Sequence, residues 1–145
     1  MLNRDDITDW LLLNMEDMGV PVGDNERPSD GGWSQGEPNT GEFRPYVVLN
    51  TGQATTQQGR LCPDYWDYRM IFSVTCWAVS RRGVDQLSYR MVESLTHLPR
   101  TEFGKYRVDI VRIETIGAIG HDFNQTPHLW SCNNTLSVDA VRCEK

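Results

Sequence analysis

Between Tyr65 and Ser80 the sequence alternates in side-chain character for sixteen residues, and few folds can accommodate such a run. Trp66, Tyr68, Met70, Phe72, Val74, Cys76 and Ala78 fall on one side, and Asp67, Arg69, Ser73 and Thr75 on the other. A period of two over this length describes a strand with one buried face. At about 3.3 Å per residue it would run roughly 50 Å, far beyond the common five or six residues. Such a strand is expected to bend, or to extend past its own domain and offer an edge on which another subunit can pair.

After Arg81-Arg82-Gly83 the period changes. Val84, Leu87, Met91, Val92, Leu95 and Leu98 recur at helical spacing until Pro99, which predicts a helix with one inner stripe. A second helix of about four turns is expected at the N-terminus, with Asn3 or Asp5 as N-cap, Asp5 and Asp6 near its positive end and Gly19 as its stop. Its buried stripe would be Ile7, Trp10, Leu11 and Met18, with Leu13 or Met15 beside it. Further strands are expected over Phe43 to Asn50, Tyr106 to Ile116 and His128 to Cys143, separated by the loops TGQATTQQGRLCP and GAIGHDFNQTP. The element order is helix, strand, strand, helix, strand, strand. It predicts an α/β (α+β) domain: a mixed, largely antiparallel four-stranded sheet with both helices packed on one face. The crossover helix would join the second and third strands in parallel.

A chain of 145 residues has the usual length of one domain, so residues 1–145 are expected to form a single unit. From Pro21 to Gly41 the sequence VPVGDNERPSDGGWSQGEPNTG is rich in Gly and Pro and nearly without apolar residues except Val22 and Trp33. A segment of that composition buries little of its own surface. It is expected to form an extended arm at about residues 20–43, held by neighbouring chains, with Trp33 as its anchor.

The formal charge of −6 does not favour wrapping nucleic acid, which needs a basic face to release counterions from phosphates. The first residues lack the basic and apolar regions of a signal peptide, and no window approaches the roughly 20 apolar residues of a membrane span, so a cytoplasmic site of synthesis and no membrane role are expected. Cys62, Cys76, Cys132 and Cys143 form no C-x-x-C pair and are expected to stay thiols in a reducing compartment. The N-x-[ST] matches at Asn124 and Asn133 are chance hits without a secretory route.

The inventory of chemistry is thin. No G-x-S-x-G elbow, Walker loop or G-x-G-x-x-G appears. A zinc site built from His121, His128 and Cys132 would serve a metal hydrolase, but ordinary polar contacts of loop and strand-edge residues explain these side chains more simply. His97 suits the C-terminal end of its helix dipole. No enzyme activity, catalytic residue, metal or cofactor is expected. Arg81 and Arg82, at a strand-to-helix corner, read as a solvated turn or as a grip on an acidic neighbouring subunit.

The N-terminal helix leading into a Gly/Pro-rich loop, the strand FRPYVVLN, the stretch DYWDYRMIFSVTCWAVSRRGVDQLSYRMVESL and the closing strand pair together resemble the tail terminator (tail completion) proteins of siphophages, particularly those of actinobacterial phages. The resemblance covers nearly the whole chain and rests on architecture and hydrophobic pattern. It implies a structural virion protein: a ring, typically hexameric, that caps the tail tube, joins it to the head-neck connector and leaves a channel for DNA. The implied partners are further copies of the chain, the major tail tube protein, connector or neck proteins, and phage DNA passing without specific binding. Its place would be the tail and neck of a virion assembled in the host cytoplasm. Candidate subunit-interface residues are Arg27, Trp33, Phe43, Arg81, Arg82 and Phe123. Candidate channel-lining residues are Glu102 and Asp122, whose negative charge would keep DNA from adhering. Another head-to-tail connector or minor tail protein would show the same element order. A small-molecule binding module would instead need a concave apolar pocket with a few convergent polar groups.

Overall fold

The computed structural model describes residues 4–33, 42–57, 65–96, 98, 101–103, 106–122 and 129–143. In chain order the elements are α1 (Arg4–Met15), a 3-10 turn (Glu16–Met18), β1 (Val22–Asp24), β2 (Gly32–Trp33), β3 (Phe43–Arg44), β4 (Tyr46–Gln57), β5 (Tyr65–Ala78), α2 (Arg81–Thr96), β6 (Thr101–Phe103), β7 (Tyr106–Thr115), β8 (Ile119–Asp122) and β9 (Leu129–Cys143). Two helices lie against a mixed, mostly antiparallel sheet, an α+β fold of the expected class.

The long alternating run is β5, and Tyr68, Met70, Phe72, Val74, Cys76 and Ala78 are all buried as their spacing predicts. Its length is spent inside its own sheet. β4 pairs with it from Asp67 to Trp77 and β9 from Tyr65 to Ala78, both antiparallel, so the expected free edge on this strand does not exist. The partner strand β4 is longer than expected. Thr51 to Gln57, read as the start of a loop, continues the ladder after a bulge between Thr51 and Ala54. A fully paired neighbour supplies hydrogen bonds that local sequence does not announce, and Gly52 fits the bulge because a Cβ there would stand 2.3 Å from the Ile71 carbonyl oxygen.

The sheet runs β1-β4-β5-β9-β7-β6, with β8 also on β9. The four long strands are those expected, and three short ones enlarge the sheet to seven among the described residues. The connection through α2 differs from expectation. β5 and β7 do run parallel, but β9 inserts between them and pairs antiparallel with each. The one parallel pairing among the described residues is β1 with β4.

Both helices cover one face of the sheet. The α2 stripe of Val84, Leu87, Met91 and Leu95 is buried in a single cluster with Met70, Phe72, Leu136 and Val138, while Val92 and Leu98 are partly buried against it. Ser80 caps this helix, its Oγ accepting a hydrogen bond from the Gly83 N–H at 3.0 Å. In α1, Ile7, Trp10, Leu11 and Met15 turn inward and Met18 follows in the 3-10 turn, whereas Leu13 is 56% exposed and so is not the alternative to Met15. Gly19, at φ +75°, ends the turn in the left-handed conformation as the sequence predicts.

Residues 21–33 of the Gly/Pro-rich segment are laid along their own chain. Pro21 and Gly23 are buried, and β1 adds a short parallel strand to β4. Asn25, at φ +59°, then turns the chain: its N–H donates to the Leu49 carbonyl at 2.8 Å, and its Oδ1 accepts from the Thr51 N–H at 2.9 Å. Gly31 packs so closely on Tyr46 that a Cβ would lie 2.7 Å from that residue's own Cβ. Residues 34–41, the rest of the expected arm, lie outside the described residues.

Candidate assembly surfaces

Three surfaces stand out, and the first two carry interface candidates named from the sequence. The first is an aromatic corner at the start of β4. Trp33 and Phe43 face each other across the two-residue pairing of β2 and β3, with ring centroids 5.1 Å apart and edge to face. Phe43 continues to Tyr46 at 6.0 Å, and Tyr46 stacks on Trp77 of β5 at 6.3 Å. Trp33 is therefore half-buried by its own chain, and only its remaining surface is left for a neighbour. Arg27 is exposed beside this corner. Burial pushes the Tyr46 hydroxyl up from its ordinary range, and the nearby Arg27 charge draws it partly back. The Arg44–Asp30 pair, at 3.7 Å with both side chains largely exposed, contributes little.

The second surface is the N-terminal turn of α2, where Arg81 and Arg82 are both exposed. No acidic residue occupies this first turn. Two cations thus sit at the positive end of a helix dipole, which favours anions there. Further along one flank of this helix, Asp85, Tyr89 and Val92, with the buried Ser88 at the floor, form a groove with Ile116, and Tyr89 and Ile116 are 67% and 62% exposed.

The third surface is the sheet face opposite the helices. Arg69 of β5 donates from Nε to Asp139 Oδ1 at 3.0 Å and from Nη2 to Oδ2 at 3.4 Å, while Arg112 of β7 meets Oδ2 at 3.2 Å. The carboxylate holds the Arg69 guanidinium above its usual range, chiefly through the hydrogen bond. Ser137 donates to Glu114 at 2.6 Å, and the Ser73 and Thr75 hydroxyls both donate to Asn133 Oδ1. Around these residues the face is mostly polar, with both signs of charge interleaved and Ile71, 40% exposed, among them.

The expected channel residues fall at different corners of the sheet. Glu102, exposed in β6, pairs in register with Arg107 of β7, and Asp122 of β8 pairs with Leu129 of β9. Phe123, His97 and His128 lie outside the described residues. Cys132 is part of the core: its one thiol proton is shared between the Gly117 carbonyl and Asn134 Oδ1, on the strand position opposite Cys76. Cys76 and Cys132 are both free thiols. Among the described residues no three His, Cys, Asp or Glu side chains converge as a metal site would require, and no helix is long and apolar enough to cross a membrane.

Sequence reasoning missed the buried polar knot around Asn134. The Asn134 side chain is wholly buried and bonds to Ser88 of α2 at 3.2 Å and to the Gly117 N–H at 3.2 Å. The one available signal was a serine on the inner stripe of a helix, opposite an amide at an inward strand position.

No family model matches the sequence, and no curated protein matches it. Solved structures do. A chain known only by a sequence identifier is similar with a TM-score of 0.53 at 16% identity, over 94% of this chain and 89% of the other. A chain from the virion of a native gene transfer agent particle is similar with a TM-score of 0.51 at 8% identity, over 94% and 92%. At these identities the likeness is one of fold, and it spans the whole architecture.

Proposed function

We propose that this chain is a structural subunit of a phage particle that acts through contacts and not through catalysis. Within that class we read it as a ring-forming tail terminator, which caps the tail tube and joins it to the neck. The observation that carries this reading is the end-to-end likeness in fold to a chain of a gene transfer agent virion, covering 94% of one chain and 92% of the other. The sequence resemblance to siphophage tail terminators points the same way. A one-sided sheet supports it physically, because the helices protect one face and leave a broad polar face for a channel or a partner.

On this reading the ring is hexameric, its neighbours are the tail tube protein and the connector proteins, and DNA passes through without specific binding. The polar sheet face suits a lumen: Arg69 and Arg112 are offset by Asp139 and Glu114, so it neither attracts nor strongly repels phosphates. Glu102 and Asp122 would then belong to the rim.

The test is a phage from which this gene has been deleted, viewed by electron microscopy. Tails that overshoot their normal length and carry no heads are expected. Tails of normal length that lack heads would move the chain to the connector instead. Complete particles would end the reading altogether.

A further inference from the structure

The two open ends of the sheet are matched to one another, and we propose that successive copies of this chain join head to tail through them. The far half of β4 in one copy adds as an antiparallel strand to β7 of the next. This inference rests on the ring reading and supplies its joint.

Each end of the sheet is only partly covered. β1 shields β4 over Val47 to Leu49, and Asn25 extends the shield to the Thr51 N–H. Beyond that, among the described residues, Ala54 to Gln57 pair only with β5. At the other end β6 shields β7 from Tyr106 to Val108, and among the described residues Ile110 to Ile113 pair only with β9. Unpaired ladder groups on such strands are a template for another chain.

Three features of these edges suit each other. First, β4, β5, β9 and β7 are successively antiparallel, so β4 and β7 run in opposite directions. Copies placed side by side in one orientation therefore meet as an antiparallel pair, with their helices on the same side. Secondly, the open stretches lie at nearly the same height. Ala54 to Gln57 stand opposite Met70 to Asp67, and Ile110 to Ile113 connect through Asp139 to Leu136 with Arg69 to Phe72. Bringing them into register needs a slide of about two residues, roughly 7 Å. Neighbouring copies then rise little relative to one another, as closure of a head-to-tail chain requires. Thirdly, Ala54 to Gln57 reads ATTQ, without a charge or a proline, and in Ile110 to Ile113 the one charge, Arg112, is held by Asp139 at 3.2 Å. Edges that stay in solvent normally carry such guards.

The test follows hydrogen exchange by mass spectrometry on the whole chain from dilute to concentrated solution, with native mass measured in parallel. Amides of both stretches should slow together, by an order of magnitude or more, as the oligomer appears. The double substitution Thr55→Lys and Gln57→Lys, at positions in register with Arg69 and Asp67 on the face away from the helices, should weaken association at least as much while leaving the melting temperature of the monomer unchanged. An oligomer whose two stretches exchange as fast as in the monomer would overturn the joint but leave the ring reading standing. A dimer with one edge protected would replace head-to-tail joining by a two-fold pairing. A chain that stays monomeric at every concentration and does not bind tails would remove both the joint and the ring.

Discussion

Asn134 and Cys76 occupy neighbouring places in the core and show how single buried groups set the behaviour of this protein. The Asn134 amide bonds to Ser88, Gly117 and Cys132, tying α2, β9 and the turn after β7 together. Replacing it by Ala leaves the part-buried Gly117 N–H and the buried Ser88 hydroxyl to find other partners, at an expected cost of about 1–3 kcal/mol. Urea unfolding of Asn134→Ala measures this directly, and an unchanged midpoint would show that the knot is replaceable. Burial pushes the Cys76 thiol up from its ordinary 9.0 to about 12, against a smaller lowering by the hydrogen bond with Ser88. Between these values the unfolded chain has lost the proton and the folded one keeps it, so the unfolded state binds fewer protons. The stability due to this group is therefore complete below pH 9 and lost as the pH rises toward 12. Wild type should lose up to about 1.4 kcal/mol per pH unit in that window beyond whatever Cys76→Ala loses. Parallel slopes for the two proteins would contradict it.

At the scale of elements, α2 separates packing from assembly. Its inner stripe is completely buried at Met91 and Leu95, so Met91→Ala or Leu95→Ala should each cost about 2–5 kcal/mol in thermal or denaturant unfolding. A cost under about 1 kcal/mol would mean that the cavity collapses freely. Its first turn obeys a different demand. Arg81 and Arg82 oppose the dipole, so Arg81→Glu with Arg82→Glu should leave the fold intact or stabilise it by about 0.3–1 kcal/mol. If these arginines grip an acidic neighbour, the same variant should fail to form rings or to join tails. A variant that is more stable and still assembles would return both residues to the status of a solvated turn. The same contrast appears in the strands: β5, long and alternating, is interior on both sides, whereas β4 and β7 are covered over three residues each and left open beyond.

At the scale of the whole molecule, the sequence by itself determined the class of fold, the two helices and the inward rows of β5 and α2. These are local properties: period two over the strand, helical spacing over Val84 to Leu95, a glycine at φ +75° to end the turn that follows α1. Hydrophobic burial selects them whatever the neighbours are, since shifting a pattern by one residue would bring polar groups into the core. It also showed an inventory without a recognisable catalytic motif. What only the tertiary structure decided is which strands are neighbours. β9, last in the chain, closes the middle of the sheet because Leu136, Val138 and Ala140 fit between the rows of β5 and β7, a complementarity between segments far apart in sequence. That insertion made β5 an interior strand and left the open edges on β4 and β7. It also placed Asn134 opposite Ser88, and it turned a supposed loop after Asn50 into half of an edge. Pairing partners are supplied by the sheet as a whole, so no local pattern in Thr51 to Gln57 could have announced them.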